Sequence, residues 1–131
     1  MPSLSLRIDL DRETRIGPGK IELLETIAAC GSISAAGRQM GMSYRRAWDL
    51  VEALNRVFGK PVVVRQVGGK SGGGAHLTAL GLALVAHYRA IEQAASAAAQ
   101  PHLAAIEAEL DRSGADEPGD GPAEATASGP A

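Results

Sequence analysis

The stretch Gly31–Phe58, GSISAAGRQMGMSYRRAWDLVEALNRVF, decides how the rest of the chain is read. It spells two helices separated by a tight break. Ser32 caps a short first helix on which Ile33, Ala36 and Met40 recur at helical spacing. Gly41 ends that helix, because a residue without a Cβ takes the left-handed conformation a helix terminus needs. Ser43 caps a longer second helix whose Ala47, Leu50, Val51, Leu54 and Phe58 line one apolar stripe. Tyr44, Arg45, Asp49, Glu52 and Arg56 fall off that stripe. A short helix, a tight turn and an amphipathic helix opening on hydroxyl and guanidinium groups is the helix-turn-helix pattern. In proteins built this way the opening turn of the second helix enters the major groove, so the pattern predicts DNA binding.

Toward the N-terminus, Gly17-Pro18 marks the start of a preceding helix, since proline suits the first helical position. That helix is expected to run to Cys30, to bury Ile21, Leu24, Ile27 and Ala28, and to stop at Gly31. Cys30 is the single cysteine, which excludes an internal disulfide, and it reads as a small buried hydrophobe. Further back, Leu4, Leu6, Ile8 and Leu10 alternate with Ser5, Arg7 and Asp9, the period of a strand with one buried face. Such a strand needs a partner, either the hairpin further along the chain or a second copy of itself.

Toward the C-terminus, Gly59 and Pro61 end the second helix. Val62–Val67 is β-branched enough for a strand, Gly68–Gly74 holds five glycines in seven residues, and Ala75-His76-Leu77 is a short return strand. Strand, glycine-rich loop and strand directly after a helix-turn-helix describe a wing. Its loop can approach a phosphate backbone closely, with Lys70 supplying the charge. Thr78 caps a long helix over about 79–99. On it Leu84, Tyr88, Ile91, Ala95 and Ala98 recur at alternating steps of four and three, the seam of a coiled-coil-like pairing. Strand and helix together leave two unmatched apolar surfaces, so a dimer is expected; the competing reading packs the stripe on its own domain. Pro101 is expected to break or kink the helix, with Leu103, Ile106 and Leu110 on a short amphipathic continuation. From Ser113 onward there is no large apolar residue, and this acidic tail is expected to be disordered.

Size and charge bound the function. The 131 residues allow one modest domain plus a tail; 45% are apolar and only 3% aromatic, so alanine and branched aliphatics must fill the interior. The formal net charge of −2 hides an asymmetry, because residues 1–100 carry twelve Lys or Arg against eight Asp or Glu, and residues 101–131 carry one against seven. Between Ser34 and His76 there are seven basic residues and two acidic ones, so the helix-turn-helix and wing are basic whatever the whole-chain balance. No apolar run approaches the ~20 residues of a membrane span. The N-terminus lacks the basic start and long apolar segment of a signal peptide. A soluble cytoplasmic protein, located at the nucleoid, is therefore expected.

Enzymatic readings find no support. Gly69-Lys70-Ser71 is not a nucleotide-binding P-loop, because the glycine required five positions before Gly69 is Val64 here. His76, His87 and His102 stand eleven and fifteen residues apart with no acidic or thiol partner beside them, so no metal site is expected. No Ser-His-Asp or Cys-His arrangement can be proposed from spacing.

Within the DNA-binding reading, Arg45 and Arg46 are the first candidates for base contact, since an arginine in the opening turn can hold guanine O6 and N7 together. Ser43 and Tyr44 can donate to phosphates, and Tyr44 can also reach a base edge. Arg38, Arg65 and Lys70, with Ser71 beside it, are expected at phosphates, where contacts set orientation and salt dependence. Ser32 and Ser34 open the first helix, where free N–H groups can receive a phosphate; simple capping is the alternative. Trp48 is expected to be a half-buried packing residue, and Asp49 to hold a neighbouring arginine or merely face solvent.

Three motifs taken together resemble a known family. Gly31-Ser32-Ile33-Ser34-Ala35-Ala36, Gly41-Met42-Ser43-Tyr44-Arg45-Arg46-Ala47-Trp48-Asp49, and Gly68–Ala75 with Leu77-Thr78 and Gly81 look like the DNA-binding domain of the molybdate-responsive transcriptional regulators (ModE). That domain is a relative of the LysR-type winged helix-turn-helix, and the similarity covers roughly residues 5–100. It implies a mainly α fold with a small β wing, followed by a long C-terminal dimerisation helix. It also implies a homodimer whose second helices read two half-sites of a palindromic operator. Pairing through the N-terminal strand and the long helix would place Leu4, Leu6, Ile8, Leu84, Tyr88, Ile91 and Ala95 at dimer contacts.

The family's molybdate sensors carry C-terminal oxyanion-binding domains, whereas this sequence continues into the acidic tail. No cofactor is expected in this chain, and sensing of molybdate or another oxyanion is not expected within it; either the effector module is a separate protein, or the regulator answers to something else, or it is constitutive. The expected layout is a DNA-binding and dimerisation domain over 1–100, a short helical extension over 101–112 and a disordered tail over 113–131. The rival from other classes is a low-specificity nucleoid-type DNA-binding protein or a protein-interaction winged helix. Specific reading is favoured by the arginine-and-tyrosine start of the second helix, because generic coating needs only scattered lysines.

Overall fold

A computed structural model describes residues 2–66 and 74–116. The element order is β1 (Ile8–Asp9), β2 (Arg15–Ile16), α1 (Pro18–Cys30), α2 (Ile33–Gln39), α3 (Tyr44–Phe58), β3 (Val63–Gln66), β4 (Gly74–Leu77) and α4 (Ala79–Asp116). This is the mainly helical architecture with a two-stranded antiparallel wing and a long last helix that the sequence predicts.

The three helices before the wing follow their punctuation closely. Pro18 opens α1, and Gly31 closes it in the left-handed region at φ 73°. Ser32 caps α2 by accepting the Ala35 N–H at 3.0 Å, and Ser43 caps α3 by accepting the Arg46 N–H at 3.0 Å. Between them Gly41 takes φ 73°, which a side-chain-bearing residue adopts only at a cost, so the turn sits where the glycine is.

The apolar stripes converge on one core, in which Ile21, Leu24 and Ile27 of α1 meet Ala36, Val51, Leu54 and Val62 at 0–1% exposure. Two expectations for α1 are corrected. Ala28 is exposed and Leu23 is buried in its place, because the cover over the last turn of α1 lies on the side of Ile27 and not of Ala28. Cys30 is likewise exposed, its Sγ–H donating to Gln39 Oε1 at 3.1 Å.

The N-terminal segment also departs from expectation. Only Ile8–Asp9 is a strand, and it pairs with Arg15–Ile16 in the register Ile8↔Ile16 and Asp9↔Arg15, not with the wing hairpin. Asp11 builds the turn: its Oδ1 accepts the N–H groups of Glu13 at 2.9 Å and Thr14 at 2.7 Å. Those two bonds hold the Asp11 carboxyl below the usual carboxylate range. A two-residue partner strand is too short to show any alternation in sequence.

The wing is a hairpin with Val63↔Leu77, Val64↔His76, Arg65↔Ala75 and Gln66↔Gly74 opposed. It is fastened at its base. Asn55 Oδ1 of α3 accepts the Val62 N–H at 2.8 Å, and the Gly31 carbonyl accepts the Ala75 N–H at 2.8 Å. Thr78 donates its N–H to the Val62 carbonyl at 2.9 Å and its hydroxyl to the Pro61 carbonyl at 2.8 Å. The loop 67–73, with Lys70 and Ser71, lies outside the described residues.

Helix α4 continues through Pro101, so of the expected break or kink the break does not occur, and the short extension of 101–112 belongs to the same helix. Proline forfeits one helical hydrogen bond, but the alanine-rich run on either side propagates helix well enough to bridge it. The helix extends to Asp116, past the Ser113 boundary expected for the tail; residues 117–131 of that tail lie outside the described residues. Ser5–Ala94 forms one compact unit. Within it Tyr88 is 1% exposed and donates its hydroxyl to the Leu6 carbonyl at 2.9 Å, while Leu6, Ile8 and Leu84 pack partly buried on the core. Much of the apolar surface reserved by the sequence for a second copy is thus occupied inside its own chain, while Ile91 remains 47% exposed. Leu4 and Ala95 belong to the second unit, which holds the rest of α4, with Ile106 and Leu110 exposed on it.

Candidate nucleic-acid interface

At about 100° per residue, α3 divides into sectors. Ala47, Val51 and Leu54 face the core, and Arg45 with Asp49 stands opposite them. The Arg45 side chain is 85% exposed, its Nε lying 3.5 Å from Asp49 Oδ1. An i,i+4 pair this open restrains the guanidinium loosely and leaves its donor edge free to engage a ligand.

One flank of α3 carries Tyr44 and Trp48. Arg65 of β3 lies across both: its Nη1 donates to Tyr44 Oη at 2.8 Å, and its Cζ sits 4.6 Å from the centroid of the Trp48 ring. The half-buried Trp48 is therefore a packing residue, as its position predicts, and also the seat of the wing's arginine. The other flank carries Arg46 and Leu50. Arg46 lines a cavity of about 340 Å³ together with Arg7, Arg15, Lys20 and Met42. Lys20 Nζ donates to the Arg15 carbonyl at 2.6 Å. Partial burial, then the nearby charges of Arg46 and Arg15, push the Lys20 amine below its ordinary range.

The other predicted residues divide by role. Ser32 and Ser43 are both engaged as caps, and the Ser34 hydroxyl accepts from Arg38 Nη1 at 2.9 Å along the exposed side of α2. Ser43, Tyr44, Arg45, Arg46 and Arg65 gather around the opening turn of α3, while Arg38 and Ser34 form a separate pair on α2. Sequence reasoning missed Arg7, Arg15 and Lys20, which come from three segments with no shared spacing, and Asn55, whose amide ties α3 to the wing. The glycine-rich loop leads into β4, not into the helix that a P-loop requires. Among the described residues no helix is long and apolar enough to cross a membrane.

Comparison with known proteins agrees with this geometry. Residues 19–82 match the bacterial regulatory helix-turn-helix protein of the lysR family. The molybdenum-pterin-binding protein MopB of Rhodobacter capsulatus is 51% identical over 78 residues, covering 60% of this chain and 29% of that protein. The molybdenum transport protein ModE of Azotobacter vinelandii is 41% identical over 87 residues, covering 66% of this chain and 32% of its own. The DNA-binding transcriptional dual regulator ModE of Escherichia coli K12 is 39% identical over 88 residues, 67% of this chain and 34% of that one. The chain thus spans about a third of the length of the curated relatives it matches.

Proposed function

We propose, from the premise that residues 19–82 are a LysR-type helix-turn-helix within a ModE-type DNA-binding domain, that this protein is a sequence-specific transcriptional regulator. It binds a palindromic operator as a homodimer through α3 and the wing. One observation carries the reading: the opening turn of α3 exposes Tyr44, Arg45 and Arg46 while Ala47, Val51 and Leu54 anchor the helix in the core. A rigidly seated helix with free guanidinium groups can discriminate base edges, which scattered mobile lysines cannot.

In this reading Arg45 contacts a base, Arg65 and Lys70 with Ser71 meet phosphates beside the wing, and Arg38 with Ser34 meets the backbone from α2. Two copies place their α3 helices about one duplex turn apart, ~34 Å, so the operator mirrors the two-fold axis. The exposed Ile91, with the partly buried Leu84 two turns below it on the same face, supplies apolar surface on α4 for the second copy.

Competition binding at fixed salt tests the proposal. A single palindromic duplex beating random duplex by ~10³ or more supports a regulator. Equal binding to every duplex would assign a low-specificity coating role, and absence of binding a protein-interaction role. Sedimentation of the free protein, expected at the mass of two chains, tests the dimer.

A further inference from the structure

Four cations that no local pattern connects converge beside the opening turn of α3. Arg7 precedes β1, Arg15 lies in β2, Lys20 in the first turn of α1 and Arg46 in α3, yet all line one cavity with Met42 and Leu50. Their compensation is thin. Asp9 is shared, at 3.2 Å from Arg7 Nε and 3.8 Å from Arg15 Nε. Lys20 rests on a neutral carbonyl, and among the described residues no ion pair joins Lys20 or Arg46 to a carboxylate. Gathering like charges around a cavity works against folding, and burial together with two neighbouring guanidinium groups already disfavours the charged Lys20 amine. An array of cations with so few counter-charges is complementary to an anion with several acceptor oxygens.

We infer that this cavity receives a phosphodiester group of duplex DNA, on the strand bordering the groove that α3 enters. The inference rests on the DNA-binding reading above and deepens it. The major groove is ~12 Å wide and bordered by a phosphate backbone on each side. With Arg45 foremost on α3, its two flanks face those two backbones. One flank presents Arg65 on Trp48, and the other presents the cavity. Arg46 is then a phosphate anchor, and Arg45 alone of the pair reads sequence. The β1–β2 hairpin acquires a purpose as well: its Asp11 turn brings Arg15 back beside Arg7.

Lys20→Gln, Arg15→Gln and Arg46→Gln in the full chain test this, with Kd measured for a preferred and a random duplex over a salt series. Each variant is expected to weaken both duplexes alike, by about fivefold near 0.15 M salt, and to lower the salt slope by about one. Base preference should be unchanged in all three. Circular dichroism melts check folding; should Arg15→Gln or Lys20→Gln, whose amine bonds the Arg15 carbonyl, open the hairpin, Arg46→Gln, which touches neither strand, decides alone.

Wild-type affinity and slope in Lys20→Gln would overturn the assignment, as would relaxed preference at one base pair in Arg46→Gln. Inorganic phosphate shifting the Lys20 and Arg46 amide resonances, with DNA affinity untouched by the variants, would assign the cavity to a free oxyanion and likewise overturn it. Failure of the parent chain to bind any duplex would instead sink the DNA-binding reading itself.

Discussion

The guanidinium of Arg65 lies 4.6 Å from the ring centroid of Trp48, joining the first strand of the wing to the flank of the recognition helix. The same group donates to Tyr44 Oη at 2.8 Å, so one side chain of the wing touches two aromatic residues one helical turn apart. An arginine stacked on an indole keeps its edge donors available, and such a contact stabilises by ~0.5–1 kcal/mol at an exposed site. The angle between wing and helix is therefore set at the surface that would meet DNA, and not only at the buried base of the hairpin.

Trp48→Ala should consequently behave as a positioning change. Stability is expected to fall by roughly 1–2 kcal/mol, because Trp48 is only half-buried and its loss leaves little cavity. Duplex affinity should fall more than Trp48→Phe makes it fall, since phenylalanine retains a ring for Arg65. Equal affinity of the two variants in fluorescence anisotropy would show that the stacking has no part in binding.

Arg45→Ala should remove preference at one base pair, at a cost of about 1–3 kcal/mol against the preferred duplex and little against random duplex. Lys70→Ala should instead weaken both duplexes alike. A selection from randomised half-sites with each variant would reveal the difference, and identical selected sequences would remove Arg45 from the reading role.

Gly81→Ala should destabilise the compact unit more than an ordinary surface change in a helix. A Cβ at Gly81 would run into the backbone carbonyl of Val62, which also accepts the Thr78 N–H at 2.9 Å. Neither backbone can move without disturbing the wing base, so a loss of roughly 1–3 kcal/mol is expected in urea unfolding. An unchanged midpoint would mean that α4 shifts freely against the wing.

Acid sensitivity is expected to pass through Glu25. Arg89 of α4 donates Nε at 3.0 Å and Nη2 at 2.8 Å to its two carboxylate oxygens, and those hydrogen bonds hold the Glu25 carboxyl below its ordinary range. A depressed folded-state value means that the unfolded chain binds the proton more readily. The stabilisation is then present above the unfolded value, near 4.5, and is lost as pH falls through the folded one. The side chains are 40% and 39% exposed, so solvent screening limits the pair to about 1 kcal/mol. The stability gap between the parent and Glu25→Gln should be open at neutral pH and close as the pH falls through the lowered folded-state value. A gap of the same size at both ends would assign the loss to packing.

Much was legible in the chain because its signals are local. Capping serines at 32 and 43, glycines at 31, 41 and 59 and the stripe Ala47-Val51-Leu54 each act within a turn or two of helix, and the elements stand where those residues put them. The wing was legible for the same reason, as a β-branched run and its return on either side of a glycine-rich loop. Local signals also account for the misreadings. Pro101 is a helix breaker by itself, yet α4 runs through it on the strength of the alanines around it, and Ala28 and Cys30 have buried-type side chains on the uncovered side of a turn whose Ile27 faces the core.

Sequence alone determined the kind of domain and the face of α3 that is free. Only the tertiary structure decided which cations stand together. Arg65 meets Trp48 because β3 is tied back to α3 through Asn55, and Arg7, Arg15, Lys20 and Arg46 meet because a hairpin of two-residue strands folds beside α1. Charge acts through space over several ångströms and carries no period along the chain, so its clustering is decided only when distant backbone segments are packed.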